Sequence, residues 1–579
     1  MRVGILVLLA GWLFLLLLHG LADRDLWNSH EARAGMDAQV VLDDGDWLLP
    51  HLYDGRPDLQ KPPLYYWLVA GFARLRGGTV DAWAVRLPSA FAAILCVMVV
   101  AVLGWRCGRS RDGLLSAAIL ATAIHFTWLA RVGRIDMPLT CALCAALTSF
   151  YLAERDDPGS LRRLGLLLAA YVCLAAAVLL KGPIGIVLPA AAFGAHLLGE
   201  RELPPPWQLR RWGKLAQRLG MWWGLPLVLV LTVPWFWYAD RATGGEFLRV
   251  FFWHHNVERG LGGSSLRGHP WWFYASQFVV DFLPWSLLVP VVVWYFVRRG
   301  RWWIDREARF GLTWFLAMTA VLSCARYKRA DYLVPAYPGA ALFLGCTLRG
   351  WYREATARGR SLLARVAPIG LALALIGSAI GWWVRVTYIL PAFEARLEHR
   401  SFAAVVRRHV PPPEPIVLFR TEAHALAFHL GRPLRILRFW DELDRVTLLE
   451  HPDNTLPRFV VMPSEVARDW PAALHRIRLV EVANNFDGVA GGHEKPLVLF
   501  RMVPRVRRTE REMGCESRQA GSLPHDGAAE PSADARTPEV TAGREATAQP
   551  GAAGAECRGA GASRRSSVGR LPEQARGGI

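Results

Sequence analysis

Residues 21–68, LADRDLWNSHEARAGMDAQVVLDDGDWLLPHLYDGRPDLQKPPLYYWL, lie between two apolar stretches and are dense with ionisable side chains. The apolar run Gly4 to Leu18 ahead of them is read as a helix that carries the backbone across a membrane. No small-residue cleavage site follows it, so it is expected to stay as an anchor. Asp23, Asp25, His30, Glu31, Arg33, Asp37, Asp43, Asp44, Asp46, His51, Asp54, Asp58 and Lys61 then follow within a single loop. A plain solvated connector needs no such density. The loop ends in Gln60-Lys61-Pro62-Pro63-Leu64-Tyr65-Tyr66-Trp67, a cation at the start of an aromatic, interface-seeking helix. An anionic lipid headgroup would sit there.

The rest of the chain places this loop in a polytopic α-helical membrane protein. Hydrophobic residues make up 53% and charged residues 20%, which excludes one soluble globule. About eleven spans are expected, near residues 3–20, 84–105, 113–130, 137–153, 164–180, 183–199, 220–239, 272–297, 310–325, 332–348 and 366–387. The formal charge of +18 is concentrated in the short loops after Trp105, Ala153, Gln208, Val297 and Tyr352, so it reports topology and not nucleic acid. The positive-inside rule puts those loops in the cytoplasm, and residues 21–83, 131–136, Lys181, 240–271 and 326–331 on the outer side. The nine cysteines form no metal or disulfide pattern.

Residues 1–387 are therefore assigned to a transmembrane domain with an outer loop at 21–83. Short β-branched runs alternate with helical patterns in residues 388–505, the signature of a small outer α/β domain. Residues 506–579 are rich in Gly, Ala, Ser, Pro, Arg and Glu and are expected to be a disordered tail.

Three outer segments carry the candidate chemistry. Glu31 is the favoured carboxylate of the first loop, with Arg33 and Lys61 nearby in sequence, and His30 precedes it. Asp136, in Arg131-Val132-Gly133-Arg134-Ile135-Asp136-Met137-Pro138, offers a second carboxylate to the same site. Arg326, Lys328 and Arg329, followed by Tyr332, set cations on the face where the other loops have few. A lipid phosphate is the partner such residues suit, with Arg33, Lys61, Arg259, Lys328 and Tyr332 as its ligands. Residues 240–271 are long and aromatic enough for a membrane-surface lid, and His254 and His255 within them are the candidate ligands for a divalent metal.

Taken together, QKPPLYYW, RIDMPLT, LLKGPIG, FFWHHNVERG and YKRADYLVPAYP resemble the lipid-linked-sugar glycosyltransferases of the GT-C superfamily. The closest resemblance is to the 4-amino-4-deoxy-L-arabinose lipid A transferases and protein O-mannosyltransferases, over roughly residues 1–390. It implies a polyprenyl-phosphate sugar donor, a glycolipid or protein acceptor, a carboxylate base in the first outer loop and cations on the donor phosphate. The family's Asp-Glu pair falls on His30-Glu31 and its Glu-Lys pair on Gln60-Lys61, so one expected carboxylate is absent at each place. Glu31 is then expected as base with Asp136 orienting the acceptor, and His30 is the alternative base. The rival classes are a flippase for an anionic lipid and an inactive envelope-assembly protein. A transporter usually carries its charges near the bilayer midplane, whereas these gather at one surface. A bacterial inner-membrane enzyme working on the outer face is the resulting expectation.

Overall fold

The computed structural model describes residues 11–52, 55–258, 268–359, 361–421, 423–431, 435–437, 459–468 and 477–504. The start of the first expected span, Arg259 and the expected tail lie outside them, as does the side chain of His255.

Helices dominate up to Leu397. Among the described residues, five are long and apolar enough to cross a membrane, or up to seven if each of two bent pairs counts as one crossing. The five are Ala82–Arg106, Asp136–Ala153, Leu161–Lys181, Met221–Ala242 and a 45-residue run, Arg365–His409. Many of their side chains are apolar yet exposed, among them Leu95, Leu229, Val230 and Leu373, as lipid contact requires.

The expected rod at 272–297 is broken. Phe273–Asp281 and Trp285–Arg298 meet at 112°, and Ser110–Thr122 meets Ile124–Ala130 at 70°. Pro284 lies in the first break, where its missing N–H and ring oppose a continuous helix. The two breaks satisfy one another: the Ile124 amide donates to the Leu283 carbonyl at 3.1 Å, and Trp285 Nε1 to Thr122 Oγ1 at 2.8 Å. Non-helical backbone at membrane depth persists only with such partners.

The first loop folds into a helix, Ser29–Asp44, capped by the Asn28 side chain on the His30 amide at 2.9 Å. Tyr65 and Tyr66, expected at a membrane interface, are instead buried. Their hydroxyls donate to the Val85 carbonyl at 2.9 Å and to Asp58 Oδ2 at 2.8 Å.

Near the C-terminal end of the described residues, five strands form a mixed sheet in the order β2-β1-β3-β5-β4. They are β1 Ile416–Phe419, β2 Arg435–Leu437, β3 Phe459–Pro463, β4 Ile477–Asn484 and β5 Leu497–Pro504. Strand β1 pairs parallel with β2 and β3, and β5 antiparallel with β3 and β4. Phe402, Val406, Leu426 and Leu430 cover one face, and Met36 of the loop helix joins the same core. Gly35 makes that approach possible: a Cβ there would lie 2.8 Å from the Phe428 ring. The loop helix is thus clamped between the sheet layer and the membrane helices.

Candidate active site

Glu31 sits at the heart of that clamp. It is fully buried, accepting from Arg86 Nε at 2.7 Å, Arg24 Nη1 at 3.0 Å and the Gly133 amide at 2.8 Å. Gly133 comes so close because it lacks a side chain: a Cβ would lie 2.4 Å from Val85. Burial alone would raise the Glu31 carboxyl, but Arg24 and Arg86 outweigh it and hold it at about 2. Both oxygens of the carboxylate are thus engaged inside the fold. Where a base was expected, Glu31 fastens the loop to Arg86 and to the turn at Gly133.

Arg33 is likewise engaged elsewhere. Its Nη2 stands 2.8 Å from Asp58 Oδ1 and its Nε 3.3 Å from Oδ2, a bidentate pair to which Tyr66 adds a hydroxyl. Asp37 lies in the same buried cluster. Burial and the neighbouring Asp58 charge push its carboxyl well up, whereas Arg33 keeps Asp58 below the usual carboxylate range despite burial. Lys328 is buried and donates to the carbonyls of Ala325 at 2.5 Å and His269 at 3.1 Å, closing a turn. Where a donor phosphate was expected, Arg33 is engaged by Asp58 and Lys328 by two carbonyls.

Other expected residues do converge. Asp136 opens the helix Asp136–Ala153, with Lys181 Nζ 2.5 Å from Oδ1 and Arg134 Nε 3.4 Å from Oδ2. Arg134 Nη1 continues to Asp331 at 2.6 Å, and His125 links Asp331 to Asp281, 3.2 Å from each. His125 and Asp281 are supplied by the two helix breaks. Arg329 stands 3.4 Å from Asp331. The Lys181 ammonium lies 4.3 Å from the centre of the Tyr332 ring. Acid and base thus alternate across five segments distant in sequence.

His30 faces this chain of charges. Its ring is open to solvent yet closely surrounded. Burial first, then the positive charges of Arg134, Arg329 and Lys61, drive its imidazole down to about 3, with Asp136 pulling the other way. His30 is therefore neutral, with an acceptor nitrogen, at the mouth of a cationic site. Asp136, expected to orient an acceptor, is only 3% exposed and is engaged by Lys181 and Arg134.

The segment expected as a lid is described to Glu258 and again from Gly268. Phe251 of the segment Arg249–Glu258 packs beside Gly182, next to Lys181, in a cluster with Leu49 and Trp235. His254 is exposed in the same segment. Among the described residues no three His, Cys, Asp or Glu side chains stand together as a metal site.

With this geometry in hand, the likenesses to known proteins fall into place. The sequence model of the dolichyl-phosphate-mannose-protein mannosyltransferases matches residues 25–245. An undecaprenyl phosphate-alpha-4-amino-4-deoxy-L-arabinose arabinosyl transferase of Pseudomonas aeruginosa is 29% identical over 374 residues, 64% of this chain and 63% of that one. A protein of the same name from Shewanella sediminis is 26% identical over 343 residues, 59% of each chain. The chain thus spans about three-fifths of the length of these curated relatives. The crystal structure of ArnT from Cupriavidus metallidurans bound to undecaprenyl phosphate superposes with a TM-score of 0.69 at 22% identity, covering 86% of this chain and 98% of that one. The fold is GT-C. Archaeal oligosaccharyltransferase AglB from Archaeoglobus fulgidus is a more distant neighbour, with a TM-score of 0.52 and 13% identity over 88% of this chain and 74% of that one. The chain is an integral membrane protein of GT-C fold that resembles the arabinosyl transferases and O-mannosyltransferases.

Within this GT-C fold, Lys181, Arg134, Asp331 and His125 were not singled out from the sequence. Lys181 and His125 each interrupt an apolar run of sequence, which is a readable signal. Arg134 and Asp331 look like ordinary loop charges until the fold brings them together.

Proposed function

We propose that this protein transfers a sugar from a polyprenyl-phosphate donor of the undecaprenyl-phosphate type to an acceptor on the outer face of a bacterial inner membrane. The acceptor is a glycolipid such as lipid A, or a protein. The observation that carries this reading is the gathering of Arg134, Lys181, Arg329 and Lys61 about His30 and Tyr332 at the ends of membrane helices. Lipid-linked donors bring one anionic group to such a place, and the names of the curated relatives specify that donor type for them. The division into a transmembrane part to residue 387 and an outer α/β part from 388 to 505 belongs to the same reading.

In this reading the cations hold the donor phosphate, with Tyr332 beside Lys181 and the lid aromatics excluding water. The acceptor oxygen attacks the anomeric carbon, a carbon–oxygen bond forms, and the bond from that carbon to the phosphate oxygen breaks. The lipid phosphate leaves with the bonding electrons, and its added charge is stabilised by Lys181, Arg134 and Lys61. The acceptor proton goes to His30. Free of donor, burial first and then the surrounding cations make His30 a weak base. A bound phosphate neutralises the cations and raises the imidazole by their share of the shift, so the base strengthens when the donor arrives.

The test is transfer in proteoliposomes supplied with an undecaprenyl-phosphate sugar and lipid A or an envelope protein fraction. Sugar appearing on either acceptor, lost in His30→Ala and Lys181→Ala, supports the reading. Donor that is neither consumed nor bound by the folded protein refutes it.

A further inference from the structure

At the end of the bundle opposite Lys181 and Asp136, the helix Ile184–Gly199 runs into a basic cavity that the proposed chemistry does not use. The cavity has a volume of about 200 Å³ and is lined by Arg201, Glu202, Leu203, Pro204, Arg211, Lys214, Leu215 and Arg218. Its one carboxylate is taken: Glu202 stands 2.7 Å from Arg218 and 4.0 Å from Arg306. Arg218 is held further by Glu154 at 2.8 Å. Among the described residues, Arg201, Arg211 and Lys214 are in no ion pair, and three uncompensated cations face one hollow.

The wall of the hollow is built to lie in an interface. On the helix Leu209–Arg218, Arg210, Arg211, Lys214 and Arg218 fall on one side and Leu209, Trp212, Leu215 and Ala216 on the other. Trp207 and Leu209 are largely exposed. Trp212 Nε1 donates to the Pro205 carbonyl at 3.1 Å, which fixes the entry to the helix. Arg201 adds an unusual feature. It holds φ at 61°, a left-handed conformation that costs a non-glycine residue energy, and its guanidinium lies 4.9 Å from the centre of the Trp303 ring. A position where glycine is cheapest thus carries an arginine that the Trp303 ring holds at the rim of the hollow.

We infer that this hollow is a binding site for the headgroup of an anionic phospholipid in the leaflet opposite the candidate active site. The phosphate sits among Arg201, Arg211 and Lys214, and the glycerol and chains run along Trp207, Leu209 and Trp212 toward the bilayer. An amphipathic basic helix beside a membrane span takes this partner because opposite charge and apolar burial act on one molecule. The site is independent of the transferase reading.

The test uses the purified full-length protein in nanodiscs of phosphatidylcholine titrated with phosphatidylglycerol, with bound lipid read by native mass spectrometry. Arg211→Gln with Lys214→Gln is expected to weaken retention of phosphatidylglycerol on the order of tenfold, and Arg210→Gln, on the same helix but outside the hollow, to change it less than about twofold. Thermal unfolding followed by tryptophan fluorescence verifies that the variants are folded. If they are not, wild type decides alone by its preference for phosphatidylglycerol over phosphatidylcholine. Equal retention of the two lipids by wild type overturns the site, as does an equal loss in Arg210→Gln, which marks a diffuse charge effect. Displacement of phosphatidylglycerol by low-millimolar inorganic phosphate would make free phosphate the ligand and overturn the lipid assignment.

Discussion

Replacing Glu31 by Gln separates a carboxylate that fastens the first loop from one that takes a substrate proton. The native side chain is inaccessible, and both its oxygens face guanidinium groups of Arg24 and Arg86. Lowering its carboxyl from 4.5 to about 2 corresponds to about 3 kcal/mol of favourable interaction. Breaking a buried ion pair from one side costs about 3–5 kcal/mol. Arg86 retains the carbonyls of Leu21, Arg24 and Asp25, and Arg24 lies 5.3 Å from the Trp27 ring centre, so the lower end applies to the amide. Glu31→Gln is therefore expected to cost about 3 kcal/mol, and Glu31→Ala more, because the Gly133 amide also loses its acceptor. Because the folded carboxyl is depressed, its contribution is complete above about pH 4.5 and is lost as pH falls through about 2. Hydrogen exchange over residues 21–62 and thermal unfolding in detergent measure the effect. Unchanged exchange and unfolding together with a turnover collapse at unchanged KM would refute the reasoning and return the base to Glu31.

His30→Ala is expected to lower kcat by about 10²–10⁴-fold with little change in stability, and His30→Asp to retain much of it; equal loss in both would exclude proton transfer at this position. In the wild-type enzyme kcat/KM should show no acid limb from His30 above about pH 4, and kcat should show one nearer neutrality, because donor phosphate raises the imidazole from about 3; coincident limbs would contradict that coupling. Lys181→Ala should weaken polyprenyl-phosphate binding by about 2–4 kcal/mol in a competition assay, and by little more in the double variant with Asp136→Asn, since the two groups are 2.5 Å apart. Additive losses would place them in separate functions. Asp58→Asn should destabilise by about 3 kcal/mol because it strands Arg33, whereas Asp37→Asn should cost less, because burial and the Asp58 charge already favour the protonated carboxyl that the amide imitates. Unfolding temperatures that rank the two the other way would show that the proton sits on Asp58.

The fold was legible because membrane insertion depends on runs of composition. Apolar length and the basic loops set where helices lie, and the charged loop after the first helix announced the functional end. Asp136, Lys61, His30 and Tyr332 were legible as residues out of place in their setting. The bends at Thr122 and Phe282 were not, although Pro284 is visible in the sequence. A proline in an apolar run kinks or ends a helix according to whether another backbone group accepts the consequence, and here Ile124, 160 residues away, does so.

What the sequence determined alone was a membrane-embedded helical protein with a polar loop after its first helix and a small α/β layer. Only the tertiary structure decided which charges meet which partners. Glu31, Arg33 and Lys328 look as available in the sequence as Lys181, Arg134 and His30. Once folded, the first three are held by Arg86, Asp58 and two carbonyls, while Lys181 and Arg134 pair with Asp136 and Asp331 in one chain of charges that His30 borders. The physical reason is that a charge is defined by its neighbours, which a one-dimensional pattern does not contain. Pairing in a low-dielectric interior turns one carboxylate into a structural clasp, and burial together with neighbouring cations holds a histidine neutral.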